Sequence, residues 1–560
     1  MILFLATVAL ADELEWRAAL SAELDRSMSS LRIQGESAPH YIAYDMIDGH
    51  YSTVYAEFGA LVQDDDDVLR QLRVEVRTGD DKLDSANFDA FGEPDGVMTW
   101  NLPEELDGYT LRRYAWLATD RAYKQAVEQL SRKEAALGPP EADSPPGMSP
   151  AEPQKNEPAA IPPTDSARIR EAVVSLSKIL AEYPTLESGQ AAGRDWQGVR
   201  ITLNSEGTAL SRPTGFAVVR VEAVYKHPDG TRLRDARWWV ADTADELPSL
   251  EQMSAEVREM ADYLVSLESA PTLEEYLGPV LFERPAAVEL FRQLAAAELV
   301  GTPPLTEGPD ERGVRKEPRS TGRIGRRLLP EGWTVVDDPS RTEAVGDYVY
   351  DHDGVPAQRV VLVEDGVVQE LLRSRVPSGP DDRSNGHGRA LGSDRRTAIP
   401  AVVSVEPKRG RSERALERKA LRMAAQTGRQ EVLVIRRLEP PEMTEDFDIF
   451  FMGEGPPPGL TPAYEAYMLH SDGSRTPVRG VAFSGVDRRV LRDIAMAGEP
   501  GPYVGVLDAE PGPGRYHIGA VGGLPASWSV PPVLISELEV VGNQGGDKRE
   551  IPGPNAKPSP

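Results

Sequence analysis

The chain has 560 residues, a formal net charge of −28 and no cysteine. A single hydrophobic core stops growing near roughly 250–300 residues, so this length predicts two or three units. The negative charge disfavours binding to nucleic-acid phosphates, and the lack of cysteine excludes disulfides, thiolate nucleophiles and cysteine-ligated metal sites.

Residues 1–11 are apolar and end in Ala9-Leu10-Ala11, the small-x-small pattern of a signal-peptidase site. They lack the basic residues with which a signal peptide normally begins, so we interpret them as a truncated signal peptide. This predicts an exported protein, periplasmic or secreted. The alternative is a short buried terminus of a cytoplasmic protein. No other segment approaches the ~20 apolar residues of a spanning helix, so no membrane span is expected in the mature chain.

Residues 12–137 form the first predicted α+β unit. Apolar spacing predicts a helix, three strands and a helix, over residues 12–31, 40–47, 51–62, 68–77 and 103–136. The four aspartates at 64–67 lack the alternating ligands of an EF-hand loop and are interpreted as a solvated turn. Residues 138–165 follow as a linker, because nine prolines fall within 138–163 and such composition favours an extended chain.

The same order of elements recurs after the linker, in residues 166–269. The spacing again predicts a helix, three strands and a helix, over residues 169–180, 198–203, 217–225, 231–240 and 250–267. We therefore predict that the front half of the chain holds two structural copies of one α+β unit.

Residues 270–545 are predicted to form a strand-rich domain, followed by a loose Gly/Pro-rich tail over 546–560. A strand over 278–282 precedes a helix over 285–299. A hairpin over 360–372 turns at Asp365-Gly366, a strong two-residue turn signal. Two more helices are expected over 412–425 and 487–497, and a last strand over 533–541.

Three stretches resemble the TldD/PmbA family of metallopeptidase-related proteins. They are the strand 278–282 with the helix start 286–290, the hairpin 362–375 with the Asn-Gly-His-Gly-Arg loop after it, and the strand-then-glycine step 400–410. The resemblance implies an α+β fold: a duplicated α+β N-terminal region, then a β-rich, barrel-like C-terminal domain. In the family, a subunit with an H-E-x-x-x-H zinc motif pairs with a related subunit that lacks it, and the pair encloses a chamber that cleaves unfolded peptides.

The resemblance places the zinc motif on the helix after Phe282. Phe291 and Ala296 then stand at the histidine positions and Arg292 at the glutamate position, and none of these side chains binds zinc. No two of the seven histidines lie within one helical turn of each other, although a site assembled from distant histidines stays open as an alternative. We predict no catalytic residue and no cofactor in this chain, with zinc only in a partner subunit.

His387 lies between Gly386 and Gly388, in a loop that also holds Arg383, Asn385 and Arg389. Two glycines let a backbone approach a ligand closely, and the polar side chains can bind peptide carbonyls or a carboxylate. We predict peptide binding by these six residues. The alternative is a polar surface loop whose glycines only satisfy turn angles.

Two basic stretches, over 312–327 and 408–422, lack the interleaved aromatics of a single-strand binder and are predicted to contact a partner or substrate. The favoured hypothesis is a non-catalytic subunit that shapes a peptide-binding chamber and pairs with a related zinc-bearing subunit or with itself. The alternative is an exported binding or scaffold protein with no proteolytic role.

Overall fold

The computed structural model describes residues 2–89, 96–140, 144–158, 161–307, 323–390, 395–441, 459–508 and 523–542, with side chains from residue 12 onward. The α-helices are α1 Ile2–Ser30, α2 Gly108–Leu137, α3 Ser166–Leu180, α4 Leu250–Ser266, α5 Arg284–Leu294, α6 Ala296–Leu299 and α7 Glu413–Gln426. The strands of the front half are β1 Pro39–Glu57, β2 Ala60–Thr78, β3 Phe88–Asp89, β4 Val97–Asn101, β5 Leu186–Asn204, β6 Ala209–Lys226 and β7 Arg232–Ala241.

The remaining strands belong to the C-terminal half. They are β8 Glu275–Phe282, β9 Thr306–Glu307, β10 Trp333–Asp337, β11 Val360–Glu364, β12 Val367–Val368, β13 Gly388–Arg389, β14 Thr397–Ala398, β15 Val402–Pro407, β16 Glu431–Leu438, β17 Ala463–His470, β18 Arg475–Pro477, β19 Val481–Phe483, β20 Ile494–Ala497, β21 Val504–Asp508, β22 Leu524–Ser529 and β23 Val533–Gly542.

The front half contains one antiparallel sheet of six strands, in the order β4-β2-β1-β5-β6-β7. Each half of the sheet has three strands, and the two sets join edge to edge where β1 pairs with β5. In the first copy the predicted division is wrong: the predicted strands 40–47 and 51–62 belong mainly to the single strand β1, and the third strand is β4, which was not predicted. Met46 of β1, for example, lies between Leu72 of β2 and Ile201 of β5. The domain boundaries themselves stay a prediction.

All four long helices of this half cover the same face of the sheet. Alternate residues of the strands point to that face, where β1, β2 and β5 pack against α1 and α2, and β5 to β7 pack against α3 and α4. The opposite face carries charged residues. It turns toward the C-terminal half, so the residues of that face meet loops from β10 to β15.

The C-terminal half contains two large mixed sheets. One has six strands in the order β12-β11-β10-β15-β22-β21; the other runs β18-β17-β16-β8-β23-β19, with β20 paired to β23. Both sheets and α5 share one apolar core, whereas α7 covers the outer face of the second sheet. In the described residues, the strand order of each sheet is an open path. The α+β fold class is confirmed.

The predicted turn at the four aspartates, residues 64–67, is wrong. β2 runs straight through them, and Asp64 lies opposite Val54 of β1. The chain reverses earlier, at Phe58 and Gly59, whose φ angles of 46° and 83° give the left-handed pair that a tight hairpin turn requires. Pairing with β1 provides hydrogen-bond partners for the backbone, and Asp64 forms an ion pair with Arg170 of α3 at 2.5 Å.

The predicted helix over residues 487–497 is also wrong. A 3₁₀ turn, Arg488–Asp493, is followed by β20, which pairs with β23 so that Ile494 lies opposite Ile535. The short periodic pattern did not distinguish a helix from a turn followed by a buried strand, because tertiary pairing decides between them. The predicted helix over 285–299 divides at Ala295 into α5 and α6.

Other predictions meet the structure only in part. α1 includes residues 2–11, and the signal peptide stays a prediction. The predicted tail and residues 312–322 of the first basic stretch lie outside the described residues. Within the predicted linker, Ser149 donates to the Arg375 carbonyl at 2.9 Å, so this segment packs on the C-terminal half. No described helix combines the length and apolar character that crossing a membrane requires.

Candidate functional site

Helix α5 and the start of α6 hold the positions at which the resemblance places a zinc motif. Phe291 is fully buried, and its ring stacks on Trp333 with centroids 6.2 Å apart and planes 21° from parallel. Ala296 is buried in the same core. Neither side chain carries a lone pair that could bind a metal ion. Both positions therefore serve packing.

The position between them, Arg292, is held in a largely buried ion triad. Its Nη1 lies 2.5 Å from Glu289, one turn earlier on the helix, and its Nη2 lies 2.5 Å from Asp508 at the end of β21. A guanidinium stays protonated and has no acceptor atom, so it can neither bind zinc nor act as a base. The residues at this position do not fit a zinc ion.

The two glycines of the predicted peptide-binding loop are required by close packing within the chain. Gly386 has a φ of 76°, and a Cβ there would collide with the Pro356 carbonyl. A Cβ on Gly388 would collide with the carboxylate of Asp353. Protein atoms thus already occupy the space that these glycines leave open.

Most side chains of this loop also bond within the chain. Asn385 accepts from the Arg373 N–H and donates to the Leu371 carbonyl, both at 2.8 Å. Arg389 is 3% exposed and donates to two backbone carbonyls, those of Pro400 and Pro525. Arg383 is exposed. Peptide binding by the loop stays a prediction, and Arg383 is the side chain best placed for it.

His387 is fully buried and joins this loop to the end of β10. Its Nδ1 lies 3.0 Å from both the carbonyl and the side-chain oxygen of Asn385, and its Nε2 lies 3.6 Å from Asp337. The Asp337 carboxylate in turn accepts the N–H groups of Ala401 and Val402, each at 2.9 Å. His387 is therefore placed to hold the loop in position from inside the protein.

A turn that the sequence analysis did not single out, Asp351 to Gly354, lies against this loop. The Asp351 carboxylate accepts three backbone N–H groups, those of Asp353, Val355 and Gly388, at 2.8–2.9 Å. Burial, together with repulsion from Asp353, raises the pKa of Asp351 to about 8. The available sequence signal was the Asp-x-Asp-Gly spacing, which is typical of tight turns held by carboxylates.

The turn and the loop meet the charged face of the front-half sheet in what we call the polar layer. Its members are charged residues buried between the two halves: Asp45, Arg73, Glu75, Arg77, Arg200, Arg212, Asp351, Asp353, Arg375 and Arg396. Arg396 bridges the layer, because it forms ion pairs with Asp45 of β1 and with Asp353, the latter at 3.2 Å.

Most charges in the layer are paired. Arg375 donates two hydrogen bonds to the Glu206 carboxylate, from Nη1 at 2.6 Å and from Nη2 at 2.8 Å. Although burial opposes ionisation, Arg77 and Arg73 hold the pKa of Glu75 at about 2. The layer encloses a cavity of about 20 Å³ lined by five arginines with Glu75 and Asp353, which is room for about one water molecule.

The described histidines are scattered. His387 and His352 lie near the polar layer, whereas His470 pairs with Thr476 at the surface and His227 lies beside Asp229. Among the described residues, no three His, Asp or Glu side chains form a group that could hold a metal ion. His517 lies outside the described residues.

Residues 278–437, which include α5 and the loop at 383–389, match a family model described as the PmbA/TldA metallopeptidase C-terminal domain. The similarity extends beyond this segment, because a solved structure resembles the fold of nearly the whole chain. The structure of TldE from Thermococcus kodakarensis aligns with a TM-score of 0.59 over 94% of this chain and 100% of that one, at 13% identity. The chain thus carries a C-terminal domain of the PmbA/TldD type within a TldE-like fold.

Two curated metalloproteases are similar to parts of this sequence. One, from Synechocystis sp., is 27% identical over 198 residues, which cover 35% of this chain and 40% of the relative. The other, from Methanothermobacter thermautotrophicus, is 46% identical over 54 residues, which cover 10% of this chain and 12% of the relative. The matched segments thus span less than half of these relatives' length.

Proposed function

We propose that this TldD/PmbA-family protein is a non-catalytic subunit that helps to shape a peptide-binding chamber for proteolysis. It would pair with a related zinc-bearing subunit or with a second copy of itself. One observation carries the proposal: on α5 and α6, Phe291 and Ala296 belong to the apolar core, and Arg292 is neutralised by Glu289 and Asp508. The zinc chemistry of a metallopeptidase would then come from the partner.

Two further observations support this role. The relatives that match the sequence are named metalloproteases, so the fold belongs to a group in which peptide cleavage occurs. The fold is nevertheless retained over 94% of this chain at 13% identity to TldE. A scaffold of this length without metal ligands at the motif positions on α5 and α6 fits a role in assembly and substrate binding.

The test compares the chain alone, a family relative that carries H-E-x-x-x-H, and the mixture of both. Cleavage of an unfolded fluorogenic peptide and zinc content by mass spectrometry are measured for each. We expect no chelator-sensitive cleavage by the chain alone, and faster cleavage when it is added to the relative. A relative whose motif glutamate is changed to glutamine is the control. Stoichiometric zinc in the lone chain with chelator-sensitive cleavage would refute the proposal.

The apolar segment 1–11 with its Ala-Leu-Ala ending supports a second candidate, an exported binding or scaffold protein. In that case the chain would act in the periplasm or outside the cell and would form no proteolytic complex. Cell fractionation and sedimentation distinguish the two candidates. An exported monomer that leaves the activity of zinc-bearing relatives unchanged would favour the second one.

A further inference from the structure

Arg200 of β5 is a buried cation that has no counterion in the part of the chain that the structure describes. The residue is 8% exposed, and its Nε is buried and has no hydrogen-bond partner. Among the described residues, none forms a hydrogen bond or ion pair with the Arg200 guanidinium. Buried charges are normally paired because the loss of hydration is costly. An unpaired buried guanidinium is therefore unusual and requires an explanation.

The charged groups that act most strongly on Arg200 are also cations. Arg212 lies directly opposite it on β6, and Arg73 and Arg389 act on it from the same side of the sheet. Burial and these three arginines lower the pKa of Arg200 to about 9. The sheet and the loop thus concentrate positive charge at one point of an otherwise strongly acidic protein.

Of the neighbouring arginines, Arg73 is paired with Glu75 and Asp45, whereas the hydrogen bonds of the Arg212 and Arg389 side chains go to uncharged groups. Arg212 donates to the Tyr350 carbonyl at 2.9 Å, to the Asp351 carbonyl and to the Thr202 hydroxyl at 2.8 Å, while its own Nε is buried and unpartnered. Arg389 donates to two backbone carbonyls. The nearby Asp351 carboxylate is already held by three backbone N–H groups.

His352 adds a neutral donor to this group. Its Nδ1 accepts the Ala390 N–H at 3.0 Å, so its proton lies on Nε2. Burial and the positive charge of Arg200, Arg212 and Arg389 lower the pKa of His352 well below its usual range. The turn therefore carries a neutral N–H donor within electrostatic reach of the arginines and adds no further charge.

We propose that Arg200, Arg212 and His352 form a binding site for an oxyanion, such as a carboxylate or phosphate group, between the front-half sheet and the turn at 351–354. A guanidinium binds the planar pair of oxygens of such groups with two parallel hydrogen bonds. A bound oxyanion would supply the missing counterion of Arg200. The site lies within this chain and is independent of the proposed subunit role.

The test measures thermal unfolding of the full chain in the presence of two probes, each with its own control. The first probe is sodium phosphate, and its control is sodium chloride at equal ionic strength. The second probe is tetra-alanine with a free C-terminal carboxylate, and its control is the same peptide with a C-terminal amide. We expect a Tm rise of about 2 °C or more with phosphate, with the free-acid peptide, or with both. A response to phosphate only assigns a free inorganic anion, and a response to the free-acid peptide only assigns a peptide carboxylate.

Two variants decide whether the site is responsible. Arg200→Met should lose the anion-specific rise and, without anion, should unfold at or above the wild-type Tm, because it removes a charge that lacks a partner. Arg200→Lys keeps the charge without the two-pronged geometry and should show a smaller rise. Arg489→Met, at an exposed arginine, should respond as wild type. An absent anion-specific rise in the wild type, a rise retained in Arg200→Met, or a lower Tm of anion-free Arg200→Met would overturn the proposal.

Discussion

The zinc-motif region on α5 and the polar layer are both buried in the same protein, and they use burial in opposite ways. The α5 region is apolar apart from one closed ion triad around Arg292. The polar layer instead buries arginines and carboxylates, of which Arg396 is paired and Arg200 is not. The contrast indicates where a ligand could find an unpaired charged side chain: in the polar layer between the two halves, and not on α5.

The largest expected effect comes from removing a charge from the layer without changing much volume. Arg396→Met leaves the buried carboxylates of Asp45 and Asp353 without this partner, so the free energy of unfolding should fall by about 3–5 kcal/mol. Urea unfolding at pH 7 measures it, with the exposed Arg489→Met as control, expected within about 0.5 kcal/mol of wild type. A loss below about 1 kcal/mol would show that the layer tolerates an unpaired carboxylate.

The pH dependence of the layer should come next in size. Burial raises the pKa of Asp353 to about 6, above its unfolded value of about 3.9. The folded state therefore binds this proton more tightly, so its contribution to stability is present at low pH and is lost as pH rises from about 4 to about 6. Relative to Asp353→Asn, the wild type should lose about 1–3 kcal/mol over this interval in urea titrations. A constant difference between the two proteins would contradict the assignment.

A conservative substitution in the α5 region should lower the free energy of unfolding less than the loss of a charge from the polar layer does. Phe291→Leu keeps an apolar side chain of similar size against Trp333, so the loss should stay below about 1.5 kcal/mol. Urea unfolding again measures it. A loss as large as that of Arg396→Met would remove the distinction between the two regions.

The smallest stability effect is expected at the exposed end of the 383–389 loop. Arg383→Gln should change the unfolding free energy by less than about 0.5 kcal/mol. If the loop binds peptide, the same variant should weaken peptide binding in a fluorescence anisotropy titration. Asn385→Ala is the matched internal change and should cost about 1–3 kcal/mol, because it leaves the Arg373 N–H and the Leu371 carbonyl without their partner.

The parts of the fold that local chemistry determines could be predicted from the sequence. The hairpin between β11 and β12 turns at Asp365 and Gly366 with φ angles of 51° and 78°, as the Asp-Gly pair predicts. The helix–strand–strand–strand–helix order of the second front-half copy is also visible in apolar spacing, whereas in the first copy the spacing divided β1 into two strands and missed β4. The aspartates of β2 and the strand β20 were mispredicted, because pairing with distant strands outweighed local polarity and periodicity.

The polar layer could not be predicted, because it joins residues far apart in the chain. Asp45, Asp353 and Arg396 meet only after the sheet packs on the C-terminal half, and no local pattern indicates such a contact. The replacement of zinc ligands at Phe291 and Ala296 could be read from the family resemblance. The ion triad that neutralises Arg292 could not, because Asp508 lies on β21.

Whether α5 binds zinc is decided by a calorimetric Zn²⁺ titration of the isolated, chelator-treated chain. We expect no tight binding at one zinc per chain, and no difference between wild type and Phe291→Leu. A single tight site at one equivalent that Phe291→Leu or Ala296→Leu abolishes would contradict it.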